Sequence, residues 1–408
     1  MPGKILGQLF LFNAHPIYFS ICFMKKTRKI YLDHNATTPV DPRVLEVMLP
    51  YFSEKFGNPS SSLHVYGWET EEAVDIAREQ IAGSIGARSN EIYFTSGATE
   101  SINLALMGLS EACKEKGNHI ITCKTEHKAV LDTCKHLQNQ GFEVTWLDVD
   151  NQGAIDLQDL ENAINEKTIL VCLMHANNET GVIHSIKEIS DLARDKGVLF
   201  MTDATQSIGK IPFDVDNLGI DAAAFSSHKL YGPKGVGALY LRNRPKVKMS
   251  PYLFGGGQER GIRPGTLNVP GIVGFGKAVE LCSREMHDDA KRLSTLRDAI
   301  DHELSTLSVT QINGSKSQRL PHMTNVSFHH IDETKLIPSL KGLAVSRGSS
   351  CSSTTIKPSH VLKNMGLSDQ LALSSIRIGL GRYTTEEEVR IAIDSIKMTV
   401  EQLRLTTT

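Results

Sequence analysis

Paired cysteines, an excess of one charge and uninterrupted hydrophobic runs are all missing from this sequence. The seven cysteines form no C-x-x-C pair and their number is odd, which speaks against a disulfide framework or a structural zinc site and for a reducing compartment. Lys plus Arg number 44 against 46 Asp plus Glu. With no like-charge tract, that balance offers neither a nucleic-acid footprint nor a polybasic membrane anchor. The rather apolar stretch 5–24 is broken by Gln8, Asn13, His15 and Pro16, making a poor membrane span and a poor signal peptide. The first 24 residues hold no arginine, unlike a mitochondrial presequence. Residues 1–30 read as an N-terminal extension, with Met24 before KKTRKIYLDHN as the natural start. A G-x-x-x-x-G-K-[ST] phosphate loop is also missing.

What is present suits a soluble protein of two domains: 408 residues, 40% hydrophobic and 22% charged. From about residue 90 to 245, short apolar runs alternate with helical patterns. The runs are EIYFT (91–95), NHIITC (118–123), EVTWLDV (143–149), TILVCLM (168–174), VLFMTDA (198–204) and AAAFS (222–226). Buried strands separated by helices predict an α/β fold, a mainly parallel sheet flanked by helices. Beyond about 281 the texture changes to a charged helix over 283–306, a strand at 322–328 and helices near 334–343, 358–365 and 385–404. The reading is a large domain over 31–280, its first residues packing toward a smaller α+β C-terminal domain over 281–408.

Open α/β sheets bind ligands beyond the carboxyl ends of their strands, and polar clusters fall there repeatedly. Ser96-Gly97-Ala98-Thr99 opens a helix after a strand, where free N–H groups attract a phosphate; the alternative is a simple N-cap. Ser226 and His228 can add donors to that anion. Asp203 ends an apolar strand, where an unpaired carboxylate is costly and calls for a cation. His127 offers a flat ring for stacking, or a merely structural histidine. Lys229, in AAAFSSHKLYGPKGVGALY, is carried to the end of a core strand and held by a stiff turn. Desolvated there, its amine becomes a nucleophile fit for a Schiff base. Together these describe a pocket for pyridoxal 5'-phosphate (PLP).

Cys351 lies in SRGSSCSSTT, a polar run better suited to reaching into a site than to packing; the alternative is an incidental exposed thiol. Arg377 in SSIRIGLGR and Asn35 in LDHNATTP can hold a substrate carboxylate, although a surface ion pair would also account for the arginine.

The motifs YLDHNATTPVDPRV, TSGATES, TEHKA, HANNETG, TDATQSIGK, SSHKLYGPKG, GGGQERGIRPGTLNV, SRGSSC and SSIRIGLGRYTTEEE resemble, in order over about 30–404, those of cysteine desulfurases of the IscS/NifS type. The loop around Cys351 is similar to that branch rather than to the SufS branch. The resemblance implies the aminotransferase-like fold of PLP enzymes, a homodimer, and conversion of L-cysteine to L-alanine with sulfur left as an enzyme persulfide. It implies Lys229 as the Schiff-base lysine, His127 as the ring-stacking residue and proton carrier, and Asp203 at the pyridine nitrogen. Gln206 and Asn178 fall near the phenolic oxygen, and Ala98, Thr99, Ser226 and His228 on the phosphate. Thr266 would reach the phosphate of the partner subunit, Cys351 would form the persulfide, and Arg377 would anchor the substrate carboxylate.

No resident metal is implied, although Cys351 can transiently ligate an iron–sulfur cluster shared with a scaffold. The implied partners are sulfur-acceptor proteins of iron–sulfur cluster assembly or tRNA thiolation. The chain departs from the pattern in ending at EQLRLTTT, without the extended scaffold-binding tail, and in TTIKPSH, where Lys357 adds positive charge. The expected location is the bacterial cytoplasm, or the mitochondrial matrix for a eukaryotic source. A related PLP lyase or aminotransferase, such as a selenocysteine lyase, and a catalytically idle relative are the competing readings. The presence of both Lys229 and Cys351 speaks against the last.

Overall fold

The computed structural model describes residues 29–348 and 357–405. Residues 1–28, with the start expected at Met24, and the segment containing Cys351 lie outside them.

Seven strands form the central sheet: β1 (Ile92–Thr95), β2 (His119–Cys123), β3 (Glu143–Leu147), β4 (Thr168–Cys172), β5 (Leu199–Asp203), β6 (Ala222–Ser226) and β7 (Gly237–Leu241), in the spatial order β1-β7-β6-β5-β4-β2-β3. All residues of β2, β4 and β6 are buried, as continuous apolar runs covered on both faces must be. Glu143, Val144 and Thr145 leave the edge strand β3 partly exposed, which discourages pairing with another sheet edge. The sheet is parallel except at β7, which runs antiparallel to both β1 and β6. Two reversals restore the direction of β1, so the carboxyl ends of β1, β2, β4, β5 and β6 open on one edge.

Helices cover the sheet: α1 (Val65–Ser84), α2 (Ala98–Cys113), α3 (Lys128–Asn139) and α4 (Ile186–Asp195). Two large apolar clusters lie on its opposite sides. One holds Phe94, Ile121, Phe200, Phe225 and Tyr240; the other holds Ile120, Leu170, Met201, Ala224 and Leu239. Alternate residues of the same strands contribute to each, as the two-residue period of a strand requires.

A single helix, α5 (Val269–Ser305), begins well before the charged pattern from 283. Its buried residues divide between two cores. Ile272, Phe275 and Val279 pack with the sheet, whereas Leu293, Leu296, Ile300 and Leu304 pack in a separate core. That second core is built on a three-stranded antiparallel sheet of β8 (Thr310–Ile312), β9 (Met323–Phe328) and β10 (Ser375–Gly379), with β9 central. The helix α6 (Glu386–Leu405) closes it through Val389, Ile393, Ile396 and Val400. Ile30 and Leu32 belong to this second core. Thr38 and Asp41, a few residues later, hydrogen-bond the backbone at His228 and Tyr231. The segment LDHNATTP therefore spans from one core to the other, past Lys229.

Candidate active site

At the shared strand edge lies a cavity of about 770 Å³. Asn35, Ala98, Thr99, His127, Asn178, Asp203, Gln206, Ser226, His228, Lys229 and Arg377 all line it. Thr266 does not; it is exposed on the loop before α5. Thr37, Lys128, Thr205 and Lys234 also line the cavity. Thr37 stood inside a quoted motif without a role, and Lys234 inside a glycine run that carried no phosphate-loop signal.

Lys229 follows β6 on a single turn of 3-10 helix. Its Nζ donates to the backbone oxygens of Asn35 at 2.7 Å and Ala36 at 2.6 Å. Burial, followed by the neighbouring Arg377 charge, pushes its pKa down to about 8, against the pull of Asp203 and Asp33. At neutral pH about a tenth of this amine is therefore unprotonated and nucleophilic, far more than an exposed lysine offers.

Asp203 ends β5 and is buried; its Oδ1 accepts from the Thr205 N–H at 2.9 Å. Among the described residues it makes no ion pair, although it lines the cavity. His127 caps α3, its Nδ1 accepting from the Ala129 N–H at 3.1 Å. That bond leaves Nε2 carrying the proton in the neutral ring. Burial lowers its pKa, and Lys229 adds to the effect, while Asp203 opposes it.

The first residues of α2 present a helix start with no side-chain cap. The N-cap is Gly97 itself, at φ 153°, and Ser96 instead gives its N–H to Glu100 Oε2 at 2.7 Å. Capping by Ser96 or Thr99, the alternative to a phosphate site, is not what the backbone does. The uncapped amides face a cavity that Ser226, His228 and Lys234 also line, an arrangement suited to an anion. His228 Nδ1 meets Thr37 Oγ1 at 3.0 Å, and burial pushes its pKa down to about 4.

Arg377, 2% exposed, enters from β10 of the second core. Its Nη2 reaches Asp33 Oδ1 at 2.7 Å and its Nη1 the Asn178 carbonyl at 3.0 Å; its Nε is buried without a partner. A surface ion pair does not describe this residue. Asn35 and Gln206 face one another: Asn35 Nδ2 lies 3.3 Å from Gln206 Oε1, and Gln206 Nε2 donates to the Asn35 carbonyl at 3.1 Å.

These residues fit pyridoxal phosphate. A buried carboxylate without a counter-cation suits a protonated ring nitrogen. Uncapped amides suit the phosphate, and a partly neutral lysine amine suits covalent attachment. The described residues include no group of three or more His, Cys, Asp or Glu able to hold a metal ion. The cysteines among the described residues are poor nucleophiles, Cys113 included, whose half-burial raises its thiol pKa. Burial pushes the Cys123 and Cys134 thiols up to about 12 and the Cys282 thiol to about 11, and raises Cys172 far above the ordinary range.

This is the constellation of a PLP enzyme of the aminotransferase-like fold. The class-V aminotransferase family matches residues 30–391. The cysteine desulfurase IscS of Anaeromyxobacter sp. (strain Fw109-5) is 54% identical over 376 residues, 92% of this chain and 93% of the relative. That of Klebsiella pneumoniae is 51% identical over 377 residues, again 92% and 93%. Among solved structures, a NifS-like protein superposes with a TM-score of 0.86 at 41% identity, covering 92% of this chain and all of the other. The chain belongs to the class-V aminotransferase family, in its IscS/NifS-type cysteine desulfurase branch, and is a PLP-dependent enzyme.

Proposed function

We propose that the protein converts L-cysteine to L-alanine and carries the released sulfur as a persulfide on Cys351. The observation that carries this reading is the meeting, in one cavity, of Lys229 from the sheet and Arg377 from the second core. An amino acid needs both groups: an amine that can exchange with its own and a guanidinium for its carboxylate. The relative SspA, solved in complex with cysteine, is 40% identical with a TM-score of 0.77, over 87% of this chain and all of the other, which supports the substrate assignment.

Bound pyridoxal phosphate supplies the electron sink that lets the substrate's Cα–H bond break. Arg377 holds the carboxylate and so orients Cα. Lys229 Nζ, its pKa lowered to about 8, takes the Cα proton. Asp203 keeps a positive charge fixed opposite its carboxylate. His127 Nε2–H gives a proton and takes one back. The Cys351 thiolate then forms a bond to the substrate sulfur while the Cβ–S bond breaks. The electron pair stays with carbon, which is protonated to give alanine.

The protein acts as a homodimer in this reading. Phe52, Phe56, Leu63, Tyr66 and Trp68 are 52–91% exposed within one short stretch, and the Phe56 and Tyr66 rings lie 5.6 Å apart. An apolar surface of that kind calls for a partner. A second copy would also use the exposed Thr266, bringing it to the neighbouring phosphate. Sulfur then passes to acceptor proteins for iron–sulfur clusters or thiolated tRNA, in the cytoplasm of a bacterium. No described helix is long and apolar enough to cross a membrane.

The reading is tested by incubating the protein with L-cysteine and a reductant and assaying sulfide and alanine. Wild type should release both in equal amounts and Cys351→Ala neither. Sulfide release by Cys351→Ala at the wild-type rate would remove the persulfide from the mechanism.

A further inference from the structure

Glu179 lies in HANNETG, beyond the end of β4, and no catalytic step above uses it. It is fully buried. Its backbone is rigidly set: Asn177 Oδ1 accepts from the Glu179 N–H at 2.8 Å and the Thr180 N–H at 3.0 Å, and Asn177 Nδ2 donates to the Thr125 carbonyl at 3.1 Å. The Glu179 carbonyl accepts from Asn325 Nδ2, on β9, at 2.9 Å. With the backbone so fixed, the carboxylate reaches the chain at positions 348 and 359.

Among the described residues, two chain positions meet at that carboxylate. Ser359 Oγ donates to Glu179 Oε2 while accepting the Leu362 N–H at 3.2 Å, which caps the short helix His360–Asn364. Gly348 comes so close that a Cβ there would sit 3.0 Å from Glu179 Cδ and nearer still to Oε2. No side chain larger than hydrogen fits at 348 while Glu179 keeps its place. Gly348 precedes Cys351 and Ser359 follows it. One residue on, His360 Nε2 meets the Glu126 carbonyl at 3.0 Å, beside His127.

We propose that Glu179 is a positioning residue for sulfur transfer: its carboxylate anchors the chain after Cys351 through Ser359 and confines it before Cys351 at Gly348, next to Asn178 in the wall of the cofactor cavity. This rests on the desulfurase reading. The role proposed lies in the hydrogen bond to Ser359 and the space left for Gly348; the carboxylate charge also raises the His127 pKa, and Glu179→Gln separates the two effects. Anchoring one flank and confining the other limits where the thiol between them can be delivered, and reacting groups misplaced by about 1 Å can lose about 100-fold in rate.

The experiment uses the PLP-loaded full-length protein and follows two signals separately. The change in the cofactor's visible absorbance on adding L-cysteine reports substrate binding; mass spectrometry of Cys351 after a single turnover reports persulfide formation. Glu179→Ala should bind L-cysteine as wild type does, yet form persulfide on the order of 10- to 100-fold more slowly. Glu179→Gln, which keeps an acceptor for Ser359, should stay within about threefold of wild type on the same scale. Gly348→Ala should slow persulfide formation alone, but add nothing in the Glu179→Ala background, since the group it strikes is gone.

Equal persulfide rates in Glu179→Ala and wild type would overturn the proposal. So would Glu179→Gln falling as far as Glu179→Ala, which would make the charge the active property. So would a loss in Glu179→Ala that merely tracks lost cofactor absorbance. A wild-type protein that never forms a persulfide on Cys351 would instead refute the desulfurase reading, a distinguishable result.

Discussion

Arg377 and Asp33 form a buried ion pair, Nη2 to Oδ1 at 2.7 Å, that joins β10 to the segment leading into the cavity. Asp33 is itself bridged to Gly379 on the backbone. The guanidinium is thus oriented before substrate arrives, with one Nη taken by Asp33, the other by the Asn178 carbonyl, and Nε still unpartnered.

Arg377→Lys should therefore harm substrate binding more than cofactor binding. A lysine keeps the charge but loses the planar fork. Losing a charged hydrogen bond is worth about 1.5–3 kcal/mol, or roughly 10- to 100-fold in KM for L-cysteine. Steady-state kinetics with the cofactor absorbance as a loading control checks this. An unchanged KM would remove Arg377 from the carboxylate site.

Lys229 sets a pH dependence whose direction follows from its environment. Its folded pKa lies near 8, below the ordinary 10.5, through burial and then Arg377. Between those values the unfolded chain holds a proton that the folded cofactor-free site lacks, so stability rises with pH across this window. Below about 8 both states are protonated and the gain is lost. Only the neutral amine captures the cofactor's aldehyde. Appearance of the visible band in cofactor-free protein should accordingly slow about tenfold per pH unit below about 8 and level off above it. Stopped-flow mixing with pyridoxal phosphate measures the rate, and Lys229→Ala should give no such band.

Much of this site is legible in the sequence because strand ends carry their polar residues in fixed register with the apolar runs. Asp203, Ser226 and Lys229 follow directly from where β5 and β6 stop. β7 is not legible in that way. Gly237–Leu241 follows a glycine-rich turn and runs antiparallel to both neighbours, breaking the strand–helix alternation that marks the other strands. The start of α5 is hidden similarly. Asn268 and Pro270 give a proper helix start, yet the glycines of VPGIVGFG obscure the helical pattern ahead of residue 283. Those glycines are there for packing: a Cβ at Gly274 would strike Met48 and Pro233, and one at Gly276 would strike Ala77 and Gln80. The Glu179–Ser359 contact joins residues 180 positions apart, and no local pattern announces it.

The proposed dimer makes a prediction of its own. Phe56 and Tyr66 are 67% and 55% exposed, and their rings pack against each other on the surface. Phe56→Glu with Tyr66→Glu should leave the folded protomer intact and shift the protein to a monomer in analytical ultracentrifugation. Activity should fall with it if Thr266 completes the neighbouring site. A double variant that stays dimeric would place the interface elsewhere.

Glu259, in GGGQERG, is where the loop carrying Thr266 is tied to the sheet. Its carboxylate takes Arg78 through two bonds, Nη1 to Oε2 at 2.9 Å and Nη2 to Oε1 at 2.8 Å, and accepts the Phe94 N–H at 2.7 Å. Both side chains are almost wholly buried, and Arg78 stacks 4.6 Å over the Phe94 ring. Glu259 and Arg260 hold φ of 44° and 56°, a backbone strain that these contacts must offset. Removing one partner of such a pair leaves the other charge buried, a loss of about 3–5 kcal/mol. Glu259→Ala should lower Tm markedly, and Glu259→Gln less, since it keeps an acceptor for Phe94 or Arg78. Because Thr266 lies on the same loop, PLP affinity should fall in both variants even at temperatures where the protein remains folded. Equilibrium cofactor titration separates that effect from instability. Wild-type affinity in folded Glu259→Ala would show that the loop anchors the structure without serving the cofactor.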